Sequence, residues 1–314
     1  MSPSKINSKE CSAIGSQNRS FTAHPNRETH LGELKISRAL PIRDRRMVGP
    51  WCFLDHFGPM KFDDEKPMNV PPHPHIGLQT VSWLLEGEVR HTDSLNSEAI
   101  IRPGGVNVMT AGWGIAHAEE TPQKNSGKLS GVQLWVALPD KVRNDAPSFI
   151  SVEQVPIIET KGGLVQLFAG QLNESTSPAA YASEILGAEV QVHPNQTINL
   201  TLNHPFEHAV LLLEGECAIE KQPLLQKSLY YLGICRDHLA ISSQIGCKVL
   251  LIGGRAFPEK ILMWWNFVAR TPEEIRQARD DWENHRRFGE VKGTQLKRLS
   301  SPDLARFAPP NPAS

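Results

Sequence analysis

The stretch Thr80-Val81-Ser82-Trp83-Leu84-Leu85-Glu86-Gly87-Glu88 decides the fold. A short apolar run that ends on Glu-Gly-Glu reads as a strand entering a hairpin, because glycine supplies the backbone freedom a tight turn requires. The same ending returns in Val210-Leu211-Leu212-Leu213-Glu214-Gly215-Glu216, and 212 minus 84 gives an offset of 128 residues. Between Leu31 and Ile252 further short runs, among them Val132-Gln133-Leu134-Trp135-Val136, are cut by Gly, Pro, Asn and Asp. Short strands with frequent turn residues predict β-sandwiches or barrels rather than a parallel α/β sheet. The repeated segment, set in each half within a similar series of strands, predicts two β domains related by duplication.

The 314 residues have room for two such domains, and 39% hydrophobic with 21% charged residues is ordinary for a folded chain. A net charge of -1 gives no general pull toward nucleic acid or anionic membrane. No helix-turn-helix, zinc finger or basic stripe is present, so no direct nucleic-acid partner is expected. Cys11, Cys52, Cys217, Cys235 and Cys247 are scattered, odd in number and without a CxxC pair. That pattern predicts neither a disulfide framework nor a thiolate zinc site, and it fits a reducing compartment. No apolar core suited to a signal peptide opens the chain, and no run approaches the roughly 20 apolar residues of a membrane span. A cytoplasmic protein without membrane contact is the expectation.

Four segments are expected. Residues 1–30 are polar and unpatterned, which predicts a mobile tail. Residues 31–155 and 156–262 form the two β domains, with Pro147 and Lys161-Gly162-Gly163 as boundary marks. Residues 263–314 close the chain. Within them Met263 to Val268 reads as a strand or buried connection, with Trp264 and Trp265 as packing residues. Thr271-Pro272-Glu273-Glu274 is a capping box with proline at the first helical position. It predicts a helix with Ile275, Ala278 and Trp282 on one face.

Two segments carry chemistry. Pro72-His73-Pro74-His75 places two imidazoles at i and i+2, which share a face in extended chain. Ala116-His117-Ala118-Glu119 repeats the spacing after the glycine-rich turn Ala111-Gly112-Trp113-Gly114. Three neutral imidazoles and a carboxylate make a mixed nitrogen and oxygen donor set. It suits Fe(II), Mn, Ni, Cu or Zn and not a calcium cage. Four ligands on an octahedral ion leave two open positions for water, oxygen or substrate. Around this set, His91 after the Leu84 strand and Gln133 on an alternating strand are candidates to line or support the pocket. So are Asp55 and His56, on an expected turn before Phe57-Gly58-Pro59. In the second half, the 128-residue offset sets Thr201 and Asn203 opposite His73 and His75. His204 and His208 read there as a pair on one strand face, lining a closed barrel.

Several segments resemble the pirin family. They are Arg46-Met47-Val48-Gly49-Pro50-Trp51-Cys52-Phe53-Leu54-Asp55-His56-Phe57-Gly58-Pro59, His73-Pro74-His75, Leu84-Leu85-Glu86-Gly87, His91-Thr92-Asp93-Ser94, Met109 to Glu119, and Gln133-Leu134-Trp135-Val136. Met263 to Glu274 is similar to the closing segment of bacterial members. The resemblance implies an all-β bicupin: two antiparallel β-barrels, each a double-stranded β-helix, with a C-terminal helix. It implies one mononuclear metal, usually iron, in the N-terminal cupin, on His73, His75, His117 and Glu119. It also implies quercetin 2,3-dioxygenase activity, in which O2 opens a flavonol-like aromatic substrate, with Glu119 as ligand and proton acceptor. Other members are described as non-enzymatic regulators, which would make the partner a protein and the metal a redox signal. The chain departs from the family at Ile76, Leu78, Gln79, Gly105, Asn107, Val108 and Trp113. These departures predict an altered pocket wall with the ligands retained.

Overall fold

The computed structural model describes residues 21–31, 34–62 and 68–304. Nearly all regular structure is antiparallel strand, with one α-helix among the described residues. The chain divides into two compact units. One holds the described residues up to Thr29 together with Ser37–Phe53 and Val155–Pro258. The other holds His30–Ile36, Leu54–Gln154 and the chain from Glu259 onward.

In the second of these, a four-stranded sheet runs Asn69–His75, Ile115–Glu120, Val89–Asp93, Glu98–Ile101. Asn69–His75 contains Pro71, Pro72 and Pro74 and lies at the sheet edge. Proline has no N–H for a second ladder, so the edge is where such a strand is tolerated. A larger sheet of this unit runs Ser148–Val152, Val106–Thr110, Leu78–Gly87, Lys128–Ala137 and Trp51–Lys61, the last belonging to it from Leu54 onward. Asp55 and His56 therefore sit within a strand and not on a turn, since the run Trp51 to Phe57 is continuously apolar around them.

The closing segment belongs to this unit. Leu262–Trp264 and Phe267–Ala269 form a hairpin. The helix Pro272–Glu283 follows, with the Thr271 hydroxyl accepting from Glu274 N and Ile275, Ala278 and Trp282 buried. The Glu274 carboxylate reaches back to Arg270 N at 2.8 Å. Those buried residues pack in one cluster with Ile76, Ala116, Leu262 and Phe267, with Trp264 and Trp265 at its margin. Ala116 and Ala118 thus fill one face of their strand, leaving His117 and Glu119 on the other.

The other unit repeats the plan. Its large sheet runs Thr22–Pro25, Ser228–Gly233, Phe206–Gly215, Cys247–Arg255, Ile185–Val192, Gly163–Leu172, Ile157–Thr160, with Ser175–Thr176 on Gly163–Leu172. Its small sheet runs Gln196–Thr201, His238–Ser243, Ala218–Ile219, Gln222–Pro223. Trp51 Nε1 donates to Leu186 O and Gly253 O, which ties residues 37–53 into this unit.

Four expectations are corrected. In each unit the ladders run as open paths and not as closed barrels. The tail expected over residues 1–30 is ordered from Phe21, because Thr22–Pro25 pairs with Ser228–Tyr231 and Phe21 meets the Tyr230 ring edge-on. Its first twenty residues lie outside the described part, as does Ala308 to Pro312. His204 and His208 do not share a strand face: His204 is exposed on a turn and His208 is buried in Phe206–Gly215. Cys217 and Cys247 are free thiols, but Cys235 is disulfide-bonded, a pairing that sequence spacing does not reveal.

Gly77 lies between the strand that carries His75 and the strand Leu78–Gly87, and has φ +67°. A Cβ built there would stand 2.1 Å from Val268 O. Gly77→Ala should lower unfolding free energy by at least about 2 kcal/mol, since a side chain in left-handed backbone alone costs about 1–3 kcal/mol. Urea denaturation measures it, and a loss below about 0.5 kcal/mol would contradict the close approach.

Candidate metal centre

Strand alternation assembles the site. His73 and His75 share a face of the edge strand, and His117 lies directly opposite His73 across the ladder. On its other side His117 pairs with Asp93, and Glu119 pairs with His91. The two-residue step from His117 to Glu119 opposes a three-residue step from His73 to Val70, so the edge strand carries a one-residue bulge there. His73, His75, His117, His91, Asp93 and Glu119 are thus brought together.

His73, His75 and His117 form the one group of three or more His, Cys, Asp or Glu among the described residues whose ligand atoms all lie within 4.8 Å of one another. All three are buried. Each ring is anchored at Nδ1: His73 on Pro71 O at 2.8 Å, His75 on Asn266 O at 3.1 Å, and His117 on His91 Nδ1 at 3.3 Å. A carbonyl only accepts, so His73 and His75 carry Nδ1–H and turn a bare Nε2 inward. Trp135 meets the His75 ring edge-on at 5.3 Å and fixes its plane.

His75 Nε2 and His117 Nε2 stand 3.1 Å apart. Two nitrogens each about 2.1 Å from a shared ion, at right angles to one another, stand about 3 Å apart. Facing lone pairs repel without a cation between them, so the donor set and its spacing fit a transition metal. Burial, reinforced by neighbouring imidazoles, holds His75 and His117 well below the usual histidine range. Burial brings His73 down to about 4. The rings therefore stay neutral and able to ligate at pH 7.

Glu119 lies outside that cluster of three. Its carboxylate accepts from Ser82 Oγ at 3.5 Å. Burial raises its pKa, against the opposing effects of His91 and the Ser82 hydroxyl. Gln133 is directly opposite Ser82, and its Oε1 accepts from Ser82 Oγ at 2.9 Å. Asn107 is opposite Ser82 on the other side, buried, with Oδ1 unpartnered. His91 stacks on Phe149 at 4.2 Å, and its Nε2 meets Asp93 Oδ2 at 3.1 Å. Burial would raise the Asp93 carboxyl, but hydrogen bonds from His91 and Ser97 outweigh it and hold the pKa down. His56 is half-buried on the strand Trp51–Lys61. Trp113 is 44% exposed, with the Arg287 guanidinium 5.4 Å from its ring centre. Of the altered wall positions, Gln79 is buried and donates to Thr110 Oγ1.

Asp93, Ser82, Phe149, Trp135 and Asn266 were not singled out from sequence as site residues. The i, i+2 spacing of His91 and Asp93 was the available signal for Asp93, whereas Asn266 arrives from 191 residues away. In the other unit the paired small-sheet positions are Ile198 with Ile241 and Leu200 with Leu239, all buried in the apolar core. Thr201 and Asn203 are exposed.

Two cupin units with one polar constellation define the class. The chain matches the pirin family model over residues 33–136 and the pirin C-terminal cupin domain over residues 187–289. It is 42% identical over 275 residues, 87% of each chain, to a Pseudomonas aeruginosa protein named "Putative quercetin 2,3-dioxygenase". A pirin-like protein of Caulobacter vibrioides is 35% identical over 265 residues, 82% of this chain and 90% of that one. A crystal structure of quercetin 2,3-dioxygenase from Acinetobacter baumannii superposes with a TM-score of 0.89 at 38% identity. It covers 94% of this chain and 98% of that one. The chain belongs to the pirin family. No helix among the described residues is long and apolar enough to cross a membrane.

Two outcomes follow. His73→Ala and His117→Ala should each abolish tight metal binding, from close to one ion per chain, as measured by metal analysis after chelator dialysis. Wild-type occupancy in either variant would contradict the donor set. For the metal-free protein, unfolded histidines take up protons below about pH 6.5, while His73 resists until about pH 4 and burial holds His75 and His117 well below the usual histidine range. The stability they contribute is intact above about pH 6.5 and lost as pH falls toward 4. The melting temperature should drop across that window, and a flat profile would contradict it.

Proposed function

We propose that the protein is a metal-dependent dioxygenase of the quercetin 2,3-dioxygenase type, opening a flavonol-like substrate with O2. The observation that carries this reading is a carboxylate held beside three convergent imidazoles but outside their cluster. Its relatives' names supply the substrate class. His73, His75 and His117 would hold the ion, with iron first and Zn, Mn, Ni and Cu as alternatives. Glu119 would serve as a fourth ligand or stand free as a base. A redox-capable metal, when bound, supplies a Lewis acid for the substrate oxygen and an electron route to O2.

The chain's own residues do the rest. Glu119 accepts the proton of the flavonol hydroxyl, and its raised pKa makes it a stronger base than an exposed carboxylate. The Ser82 hydroxyl can turn between Glu119 and Gln133, so it can steady the carboxylate before and after the proton moves. Asn107 and Gln133 flank Ser82 on adjacent strands and offer amide groups to substrate hydroxyls. Trp135 and Phe149, packed on His75 and His91, keep that side of the imidazoles dry.

Iron-loaded protein should consume oxygen with quercetin. Glu119→Gln should lower turnover by about two to four orders of magnitude, the usual range for a positioned base, while metal remains bound. Wild-type turnover in that variant would remove Glu119 from the proton transfer. No oxygen consumption by iron-loaded wild type with any flavonol or catechol would favour the non-enzymatic regulator.

A further inference from the structure

The three clustered imidazoles are not anchored alike. His73 and His75 donate from Nδ1 to neutral backbone carbonyls, Pro71 O and Asn266 O. His117 Nδ1 instead faces a second imidazole, His91 Nδ1, at 3.3 Å. His91 Nε2 in turn meets Asp93 Oδ2 at 3.1 Å. The other Asp93 oxygen, Oδ1, is engaged by Leu95 N and Ser97 N, both at 2.9 Å. Asp93 and His91 are buried, so water does not substitute for these partners.

The proton positions along this chain follow from one end. A carboxylate only accepts, so His91 Nε2 carries hydrogen. With that single proton on Nε2, the ring presents a lone pair at Nδ1, and the group facing it must donate. His117 therefore carries hydrogen on Nδ1 and turns a bare Nε2 inward. Phe149, stacked on His91 with an interplanar angle of 4°, keeps that ring from swinging out of line.

We infer that His91 and Asp93 are positioning residues forming a relay, Asp93–His91–His117, that fixes the tautomer of His117 and passes carboxylate character to that one ligand. This rests on the reading of His73, His75 and His117 as metal ligands. The consequence is an asymmetric centre. His117 is the more electron-rich donor, and an ion held there favours its higher oxidation state more than carbonyl-anchored imidazoles alone would allow.

Asp93→Asn tests it sharply. The two backbone N–H groups on Oδ1 hold the amide oxygen of asparagine, so its NH2 must face His91 Nε2. That reverses the His91 tautomer and sets two N–H groups against each other at Nδ1. His91→Phe keeps the stack on Phe149 and removes both nitrogens. Zinc affinity would be measured by chelator competition and the reduction potential on iron-loaded protein, with circular dichroism checking the fold. Each variant should bind zinc about 10- to 100-fold more weakly, the usual loss when a ligand's outer partner is removed, and the iron potential should rise. The double variant should be no weaker than His91→Phe alone, because both changes break one chain. Independent, additive losses, or zinc affinity and potential unchanged in Asp93→Asn, would overturn the relay while leaving the metal site standing. Wild type that takes up no zinc would overturn both.

Discussion

Everything at this site depends on where three imidazole protons point. An isolated neutral histidine exchanges its proton between two nitrogens, and a cluster of three buried rings has no reason to present three lone pairs to one spot. Here each Nδ1 is engaged from outside the cluster, by Pro71 O, Asn266 O and His91. The three Nε2 atoms are left with each other. Burial completes the arrangement by keeping the rings uncharged, and the 3.1 Å approach of His75 and His117 is a geometry that a shared cation relieves.

The fold exists around that constraint in a definite way. The edge strand tolerates Pro71, Pro72 and Pro74 because only one side is laddered, and the extended backbone then aims His73 and His75 together. Ala116 makes room for the closing segment on the opposite face of the neighbouring strand. That segment also supplies Asn266, so the carboxyl-terminal hairpin is part of the site and not a decoration on it. In the small sheet of the other unit the cross-strand pairs Ile198 with Ile241 and Leu200 with Leu239 form part of an apolar core.

Much of this was legible in sequence. The His-x-His and His-x-Glu spacings, the repeated Leu-Leu-Glu-Gly-Glu hairpin and the Thr271 capping box are local signals, and alternation or helical periodicity translates them directly into faces. The helix has its expected cap and its buried residues Ile275, Ala278 and Trp282. What stayed hidden is long-range. Asn266 reaches His75 across 191 residues. Thr22–Pro25 looks like a polar tail because a strand that borrows its partner carries little apolar pattern of its own. His204 and His208 looked like a strand pair because the turn between them leaves no strong mark. Which edge-strand residue stands opposite Glu119 depends on the extra residue between Val70 and His73, which spacing alone does not show.

The central claim is that one ion is held by three imidazoles through Nε2. X-ray absorption at the edge of the metal carried by the purified protein tests it most directly. The account predicts the scattering signature of three imidazoles with nitrogen at about 2.0–2.2 Å, the remainder oxygen, and no sulfur. Fewer than three imidazoles, or a thiolate in the coordination sphere, would contradict it.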